Sequence, residues 1–239
     1  MNFGPSGHGG AGDGPPDALP FHPVPAVVLL LAGAMTAVEL LFQLGARGIV
    51  GGPGAVGWRL DAVRDWGVSD VLFEWMIANR HFDAAEVLRL LAYPFIHADF
   101  THALFAVVLL LAMGKVVGEV FSAPAFLAVF FLSSAAGGIA YVLLLNVRSF
   151  LIGAYPGVYG LIGAFTWLLW SRLASVGAGR MRAFSLIGML LGVQLVFGAV
   201  FGASPDWVAD LAGFAVGFLL SFVVSPGGWH RLLDRLRER

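Results

Sequence analysis

The side chains that could carry out nucleophilic or acid–base chemistry are few in this chain of 239 residues. Cysteine is absent, which excludes disulfide bonds, thiolate zinc ligands and a cysteine nucleophile. A serine nucleophile needs a general base within hydrogen-bond reach. Ser133 and Ser134 lie in an apolar stretch without histidine, and the histidines of the chain are His8, His22, His81, His97, His102 and His230. The positions of these residues therefore predict no serine–histidine pair.

Two acids, Glu39 and Asp210, lie within apolar stretches of the sequence. A carboxyl group at membrane depth costs roughly 2.5–3.5 kcal/mol on insertion scales, so it requires a polar partner. Glu39 is either a gating or ion-linked group, or it pairs with a polar neighbour inside a helix bundle. His97 and His102 are five positions apart, which is a poor helical spacing for joint ligation. Neither a metal site nor a cofactor is predicted.

The composition indicates the environment of these groups. The chain is 59% hydrophobic and 12% charged, whereas a soluble domain has about 25% charged residues. This excludes a soluble enzyme. A net charge of −1 without a basic patch argues against nucleic acid as a partner. The sequence therefore predicts an integral membrane protein whose surroundings are the lipid bilayer.

Apolar stretches long enough to cross the bilayer define the predicted fold. A membrane helix needs roughly 20 mostly apolar residues to cross about 30 Å of hydrocarbon. We therefore predict an all-α polytopic membrane protein with six spans, near residues 23–45, 101–118, 125–146, 152–171, 183–203 and 207–224.

Three segments lie outside these predicted spans. Residues 1–22 are rich in glycine and proline, which predicts a disordered tail. Residues 46–100 interleave tryptophans with charges, which favours a cap at the membrane interface; a small extramembrane subdomain with its own core is the alternative. Residues 225–239 carry apolar residues at helical spacing opposite arginines, which predicts an amphipathic helix on the inner leaflet.

Basic residues predict the orientation of the chain. With six spans, the loop after the fourth span and the segment after the sixth lie on one side, and both contain arginines: Arg172, Arg180, Arg182, Arg231, Arg235, Arg237 and Arg239. The positive-inside rule then places both termini in the cytoplasm. The strong preference for arginine over lysine is typical of a GC-rich bacterial genome, and hence of a plasma (inner) membrane.

Three segments resemble the rhomboid family of intramembrane serine proteases. Residues 97–102, His-Ala-Asp-Phe-Thr-His, resemble that family's His-Ala-x-x-x-His signature. Residues 153–164 match its Gly-Ala-Ser-Gly-Ala-x-Phe/Tyr-Gly-x-x-Gly-Ala frame without a gap, and residues 209–217 resemble its Ala-His-x-x-Gly-x-x-x-Gly motif. The resemblance covers about residues 86–224 and implies a six-helix rhomboid-like bundle, here residues 23–224, with a long interfacial first loop.

The resemblance also implies that the catalytic groups are replaced. Tyr155 stands where the family has its nucleophilic serine, and Asp210 stands where it has the basic histidine. Ala106 replaces an asparagine that helps to stabilise the oxyanion, and Pro156, which has no N–H, replaces a glycine. His102 is retained at a second oxyanion position. We therefore expect an inactive homologue, a rhomboid pseudoprotease.

The substituted site is predicted to keep its architecture. One hypothesis is that the Tyr155 hydroxyl donates a hydrogen bond to Asp210, with Tyr159 on the same helical face; the favoured interpretation is that all three are only packing contacts. Glycines at close spacing predict helix packing, at Gly153, Gly157, Gly160, Gly163, Gly213 and Gly217. The residues that would line a cleft for clients are Tyr155, Pro156, Tyr159, His97, His102 and Asp210.

Three functions remain open at this point. The first is a pseudoprotease that binds transmembrane clients without cleaving them, as the resemblance to inactive members of the superfamily implies. The second is a structural subunit of a larger membrane complex, which would use its outward helix faces. The third is an intramembrane serine-type endopeptidase, as family membership alone would imply.

Overall fold

The computed structural model describes residues 23–81, 83–201 and 206–226. The predicted tail at residues 1–22 lies outside these residues, and so does almost all of the predicted C-terminal amphipathic helix.

Helices dominate the described part of the chain, which confirms the predicted all-α class. Six long helices follow the predicted spans: α1 (Ala26–Ala46), α5 (Phe100–Gly118), α6 (Ala123–Leu144), α7 (Tyr155–Ser175), α8 (Ser185–Phe201) and α9 (Trp207–Val224). Three short helices form within the long first loop: α2 (Trp58–Trp66), α3 (Asp70–Asn79) and α4 (Ala84–Ala92). The 3-10 helices are Pro53–Gly57, Tyr93–Phe95 and Arg180–Phe184.

Four of the long helices are long and apolar enough to cross a membrane, namely α1, α5, α6 and α9. This finding supports an integral membrane protein. Helix α8 has only 17 residues. Helix α7 has 21 residues, but glycines and polar side chains dilute its apolar character, and every residue from Pro156 to Ala164 is buried. The count of six spans therefore stays a prediction.

Helix α7 lies at the centre of the bundle and packs most extensively on α9. Glycines allow the two backbones to approach closely. A Cβ on Gly213 would overlap the backbone of Pro156, and a Cβ on Gly217 would overlap the backbone of Gly160. A Cβ on Gly163 would likewise overlap the backbone of α9. Any larger residue at these positions would push α7 and α9 apart.

The first loop folds into a cap over one end of the bundle. Its strand β1 (Val68–Ser69) pairs antiparallel with β2 (Phe150–Leu151), which precedes α7. Its buried apolar residues share a cluster with Tyr141 and Val142 of α6 and with Ala209 of α9. The buried core of the cap is therefore continuous with the bundle, and its position at the membrane interface stays a prediction.

Polar contacts also hold the cap in place. The Arg89 guanidinium donates hydrogen bonds to the carbonyl oxygens of Arg64 at 2.6 Å and Gly67 at 3.1 Å. The Asp70 carboxylate accepts a hydrogen bond from the backbone N–H of Arg148 at 2.7 Å, across the loop between α6 and α7. Tyr93 donates its hydroxyl to the carbonyl oxygen of Ser134 at 2.7 Å. These bonds fix the approach of the chain to α5 and α7.

Candidate functional site

His102, Tyr155 and Asp210 lie in the first turns of α5, α7 and α9, next to the cap. His97 precedes α5, and Tyr159 lies one turn further along α7. Asp99 caps the N-terminus of α5, where its carboxylate accepts a hydrogen bond from the backbone N–H of His102 at 2.9 Å. This bond lowers the pKa of Asp99 below its ordinary value. Tyr155 is the first residue of α7, and Asp210 lies in the first turn of α9. The three helices therefore direct their N-terminal ends toward one site.

Tyr155 stacks on His102. The ring centroids are 5.0 Å apart and the planes differ by 21°. Both residues are half-buried, and His102 Nδ1 accepts a hydrogen bond from the backbone N–H of Ala98 at 3.3 Å. Stacking on His102 therefore orients the Tyr155 ring.

Gly153 makes room for this stacked pair. Its φ of +97° is a conformation that residues with a side chain rarely adopt, and a Cβ there would lie 2.6 Å from His102 Nε2. Its N–H donates to the carbonyl oxygen of Tyr93 at 3.1 Å. Glycine is therefore required here both by backbone conformation and by space.

Asp210 is buried, with 3% of its surface exposed, and it receives a hydrogen bond from α8. The side-chain amide of Gln194 donates to its carboxylate at 3.0 Å. Among the described residues the Tyr155 hydroxyl forms no hydrogen bond with Asp210, so the predicted bond between them is replaced by one from Gln194. Tyr159 is also buried, with 4% exposed, and lies within electrostatic range of Asp210.

Gln194 was missed by sequence reasoning. It carries the one amide side chain in the predicted fifth span, residues 183–203. A polar side chain in an otherwise apolar span is itself a signal that it faces a polar partner. The sequence does not say which partner, because that depends on how α8 is placed against α9.

The predicted cleft residues differ in their accessibility. Tyr155 and His102 are half-buried, whereas Pro156, Tyr159, His97 and Asp210 are buried. Burial, together with the neighbouring His102, lowers the pKa of His97 to about 4, so its imidazole is neutral. The rings of His97 and His102 meet edge to face with centroids 5.2 Å apart. A partner that approached from outside would contact Tyr155 and His102 first.

Ala106 and the serines of α6 are packed inside the bundle. Ala106 is fully buried in α5. A Cβ on Gly157 would lie 2.5 Å from the Ser134 hydroxyl, and a Cβ on Gly160 would overlap the Ser133 hydroxyl. The two serines therefore pack against the glycines of α7. Among the described residues no three histidine or acidic side chains come together as potential metal ligands.

Glu39 lies in a separate polar cluster beneath the cap. Arg59 of α2 donates two hydrogen bonds to its carboxylate, at 2.9 and 2.8 Å, and Gln43 donates a third at 2.8 Å. Arg59 also donates to the carbonyl oxygen of His97 at 2.6 Å. Of the two interpretations of Glu39, the structure favours a carboxylate paired with a polar neighbour. Sequence reasoning missed Arg59, because its loop contains several interchangeable arginines.

The chain is similar to known proteins. The sequence model of the Rhomboid domain matches residues 84–227, which is more than half of the chain. Rhomboid-like protease 1 of Toxoplasma gondii is 30% identical over 141 residues, which are 58% of this chain and 47% of that protein. The chain therefore spans about half the length of this relative. The Rhomboid domain match includes His97, His102, Tyr155 and Asp210, whereas Glu39 and Arg59 precede it.

Proposed function

Because the chain belongs to the rhomboid family, and Tyr155 and Asp210 stand where that family has its catalytic serine and histidine, we propose that it binds transmembrane clients without cleaving them. The proposal rests on one observation above all. The Tyr155 ring stacks on His102, while the Asp210 carboxylate accepts its hydrogen bond from Gln194. The two groups that would have to act as nucleophile and base are each held by a different partner.

The chemistry of these groups supports the absence of cleavage. A phenol has a pKa near 10 and is a poor nucleophile toward amides at neutral pH. Loss of one oxyanion donor typically lowers the rate about a hundred- to a thousandfold. Ala106 cannot donate a hydrogen bond from its side chain, and Pro156 has no N–H in the first turn of α7. Hydrolysis would therefore lack both an activated nucleophile and a complete oxyanion site.

The bundle around this site supports client binding. Close α7–α9 packing through Gly160, Gly213 and Gly217 maintains the helix arrangement without the catalytic residues. Tyr155 and His102 stay half-exposed at the end of the bundle next to the cap. They offer aromatic and imidazole groups to a membrane segment that has polar or irregular structure near its end. No cofactor is required for this function.

Family membership favours one alternative, an intramembrane serine-type endopeptidase, and the Toxoplasma gondii relative is named as a protease. For this chain the activity would need another nucleophile. Ser133 and Ser134 are fully buried beside the glycines of α7, which argues against either serving that role.

Membrane orientation and location are part of the proposal. Under the positive-inside rule, the arginines after α7 support a cytoplasmic position for that end of the bundle and, with six spans, for both termini. Arg180 lies over the ring of Trp170, with its guanidinium carbon 5.1 Å from the centroid, as expected for an interfacial anchor. Reporter fusions at each terminus of the protein in a bacterial plasma membrane test this orientation.

A cleavage and capture experiment tests the function. The purified full chain is placed in proteoliposomes with a model transmembrane substrate, next to an active rhomboid protease as a positive control. We expect no cleavage by this chain. Photocrosslinking from a probe that replaces Tyr155 should capture membrane proteins in cells, whereas capture only from probes on outward helix faces would indicate a structural subunit. Cleavage that is abolished by Asp210→Asn would overturn the proposal in favour of the endopeptidase.

A further inference from the structure

Asp210 is a buried carboxylate without a positive partner among the residues that the structure describes. The ion pairs found there are Arg59–Glu39 and Arg89–Glu86. The sequence from residue 183 to residue 224, which contains both α8 and α9, has no lysine, arginine or histidine. Asp210 therefore cannot obtain a cation from the two helices that form its hydrogen bond.

The partner of Asp210 is itself incompletely satisfied. Gln194 uses its amide N–H group for the carboxylate, and its amide oxygen Oε1 is buried without a hydrogen-bond partner in the described part of the chain. A buried acceptor without a donor costs free energy, and a hydrogen bond from an incoming donor removes that cost. The site thus presents a carboxylate and an amide oxygen that both accept hydrogen bonds.

This pair of acceptors defines the chemistry of a matching group. One donor must supply several N–H groups and carry positive charge, which is a property of the lysine ammonium and the arginine guanidinium. Hydrogen bonds from an ionised donor to a carboxylate are about twice as strong as those between neutral groups. A neutral hydroxyl or amide would satisfy the amide oxygen but would leave the carboxylate without a counter-charge.

The location of the pair makes such a contact feasible. Asp210 lies in the first turn of α9, at the same end of the bundle as the half-exposed Tyr155 and His102. Gln194 as a residue is half-buried, although its amide oxygen and Asp210 are buried, so the pair lies just inside the rim of the bundle. Basic side chains on membrane helices extend toward the bilayer surface from positions near the helix end. A client helix beside α8 could therefore present its basic group at this depth.

We infer that Asp210 and Gln194 form a recognition site for a lysine or arginine side chain near the cap-side end of a client's transmembrane helix. The inference rests on the proposed client-binding function and names the class of client. Recognition comes from an ion pair with Asp210 and a hydrogen bond to the Gln194 amide oxygen.

The test measures binding of single-span helices to the full-length protein in liposomes by energy transfer between fluorophores. The helices are identical except at one position at the depth of Asp210, which carries lysine, glutamine or leucine; a further helix carries lysine at mid-membrane. We expect the first lysine helix to bind at least tenfold more tightly than the other three. Asp210→Asn should reduce this preference to less than twofold, and Gln194→Leu should reduce it partly.

A matched control is Asp206→Asn, the same change at an exposed carboxylate one turn before Asp210, which should leave the preference intact. Unfolding midpoints of all variants show whether each is folded. Equal binding of the lysine and leucine helices to the wild type, or a lysine preference that survives Asp210→Asn, would overturn this inference while client binding stands. If none of the helices binds, the proposed function fails with it.

Discussion

The two acids within the long helices, Glu39 and Asp210, are both buried but have opposite surroundings. Glu39 receives two hydrogen bonds from the Arg59 guanidinium and one from Gln43, so its charge is neutralised. Among the described residues, Asp210 receives a side-chain hydrogen bond only from the neutral amide of Gln194. Their exposed fractions are similar, at 4% and 3%. Burial alone therefore does not distinguish a structural carboxylate from one that is available for a partner, whereas the pairing does.

Each arrangement has a different consequence for the fold. The Glu39–Arg59 pair links α1 to the cap and, through the carbonyl oxygen of His97, to the segment before α5. Asp210 links α9 to α8 through the hydrogen bond from Gln194. A carboxylate near a helix N-terminus gains about 0.3–1 kcal/mol from the helix dipole, which offsets part of its cost of burial. We expect the first site to contribute to stability and the second to binding.

Removal of Arg59 should have the largest effect on stability. Arg59→Ala leaves Glu39 buried without its counter-charge, and loss of one partner of a buried pair typically costs 3–5 kcal/mol. Because the Arg59 side chain is 23% exposed, we expect a smaller loss of about 2–3 kcal/mol in the free energy of unfolding. Unfolding in mixed micelles measures it. Arg64→Ala, at an exposed position of the same helix, is the control, and an equal effect of both variants would contradict the role of the pair.

The pH dependence of stability should be of similar size. His97 has a pKa of about 4 in the folded protein against 6.5 as its ordinary value, because burial disfavours its charged form. As the pH falls from about 6.5 toward 4, the unfolded chain binds a proton that folded His97 does not, so stability decreases, by roughly 3 kcal/mol in total. Arg59 and His102 oppose this protonation, whereas Glu39 favours it.

Free energies of unfolding at several pH values between about 4 and 7 measure this dependence. The His97→Gln variant is the control, since glutamine does not titrate. If its stability falls as steeply as that of the wild type over this range, His97 is not the cause. Asp99, whose pKa is lowered by its hydrogen bond from His102, loses its contribution only below its ordinary value of 3.8.

The Gln194–Asp210 bond should have a moderate effect. A double-mutant cycle between Gln194→Leu and Asp210→Asn should give a coupling of about 1 kcal/mol, the size of one hydrogen bond in a partly buried site. The coupling should be well below that of a Glu39→Gln and Arg59→Met cycle, because the second pair includes an ionic contact. Additive effects at Gln194 and Asp210 would show that α8 and α9 are not joined there.

The sequence predicts the long helices well because apolar length determines them. The observed bounds of α1, α5, α6, α7, α8 and α9 follow the predicted spans to within a few residues. The short helices of the cap were not placed, because α2 to α4 span nine or ten residues each, far fewer than the apolar length by which the other helices were recognised. The two-residue strands β1 and β2 have no sequence pattern of their own and form because the chain brings them together.

The sequence identified some residues of the candidate site but did not predict their hydrogen-bond partners. The resemblance to the rhomboid motifs predicted that Tyr155, His102 and Asp210 belong to one site. The partners Gln194 and Arg59 were missed, since each comes from an element outside those motifs and its contact depends on tertiary packing. Hydrogen-bond partners of buried acids are therefore the part of such a site that a structure adds.

The smallest effect should come from Tyr155 and Asp210, the pair for which the sequence suggested a hydrogen bond as one hypothesis. A double-mutant cycle between Tyr155→Phe and Asp210→Asn should give a coupling below about 0.5 kcal/mol, the value for sites without a direct bond. The Tyr155 hydroxyl makes no hydrogen bond to Asp210 within the described residues, and its ring is held by His102 instead. A coupling of 1 kcal/mol or more would mean that the phenol does reach the carboxylate. Asp210 would then be satisfied from two sides, and its contrast with Glu39 would rest on charge alone.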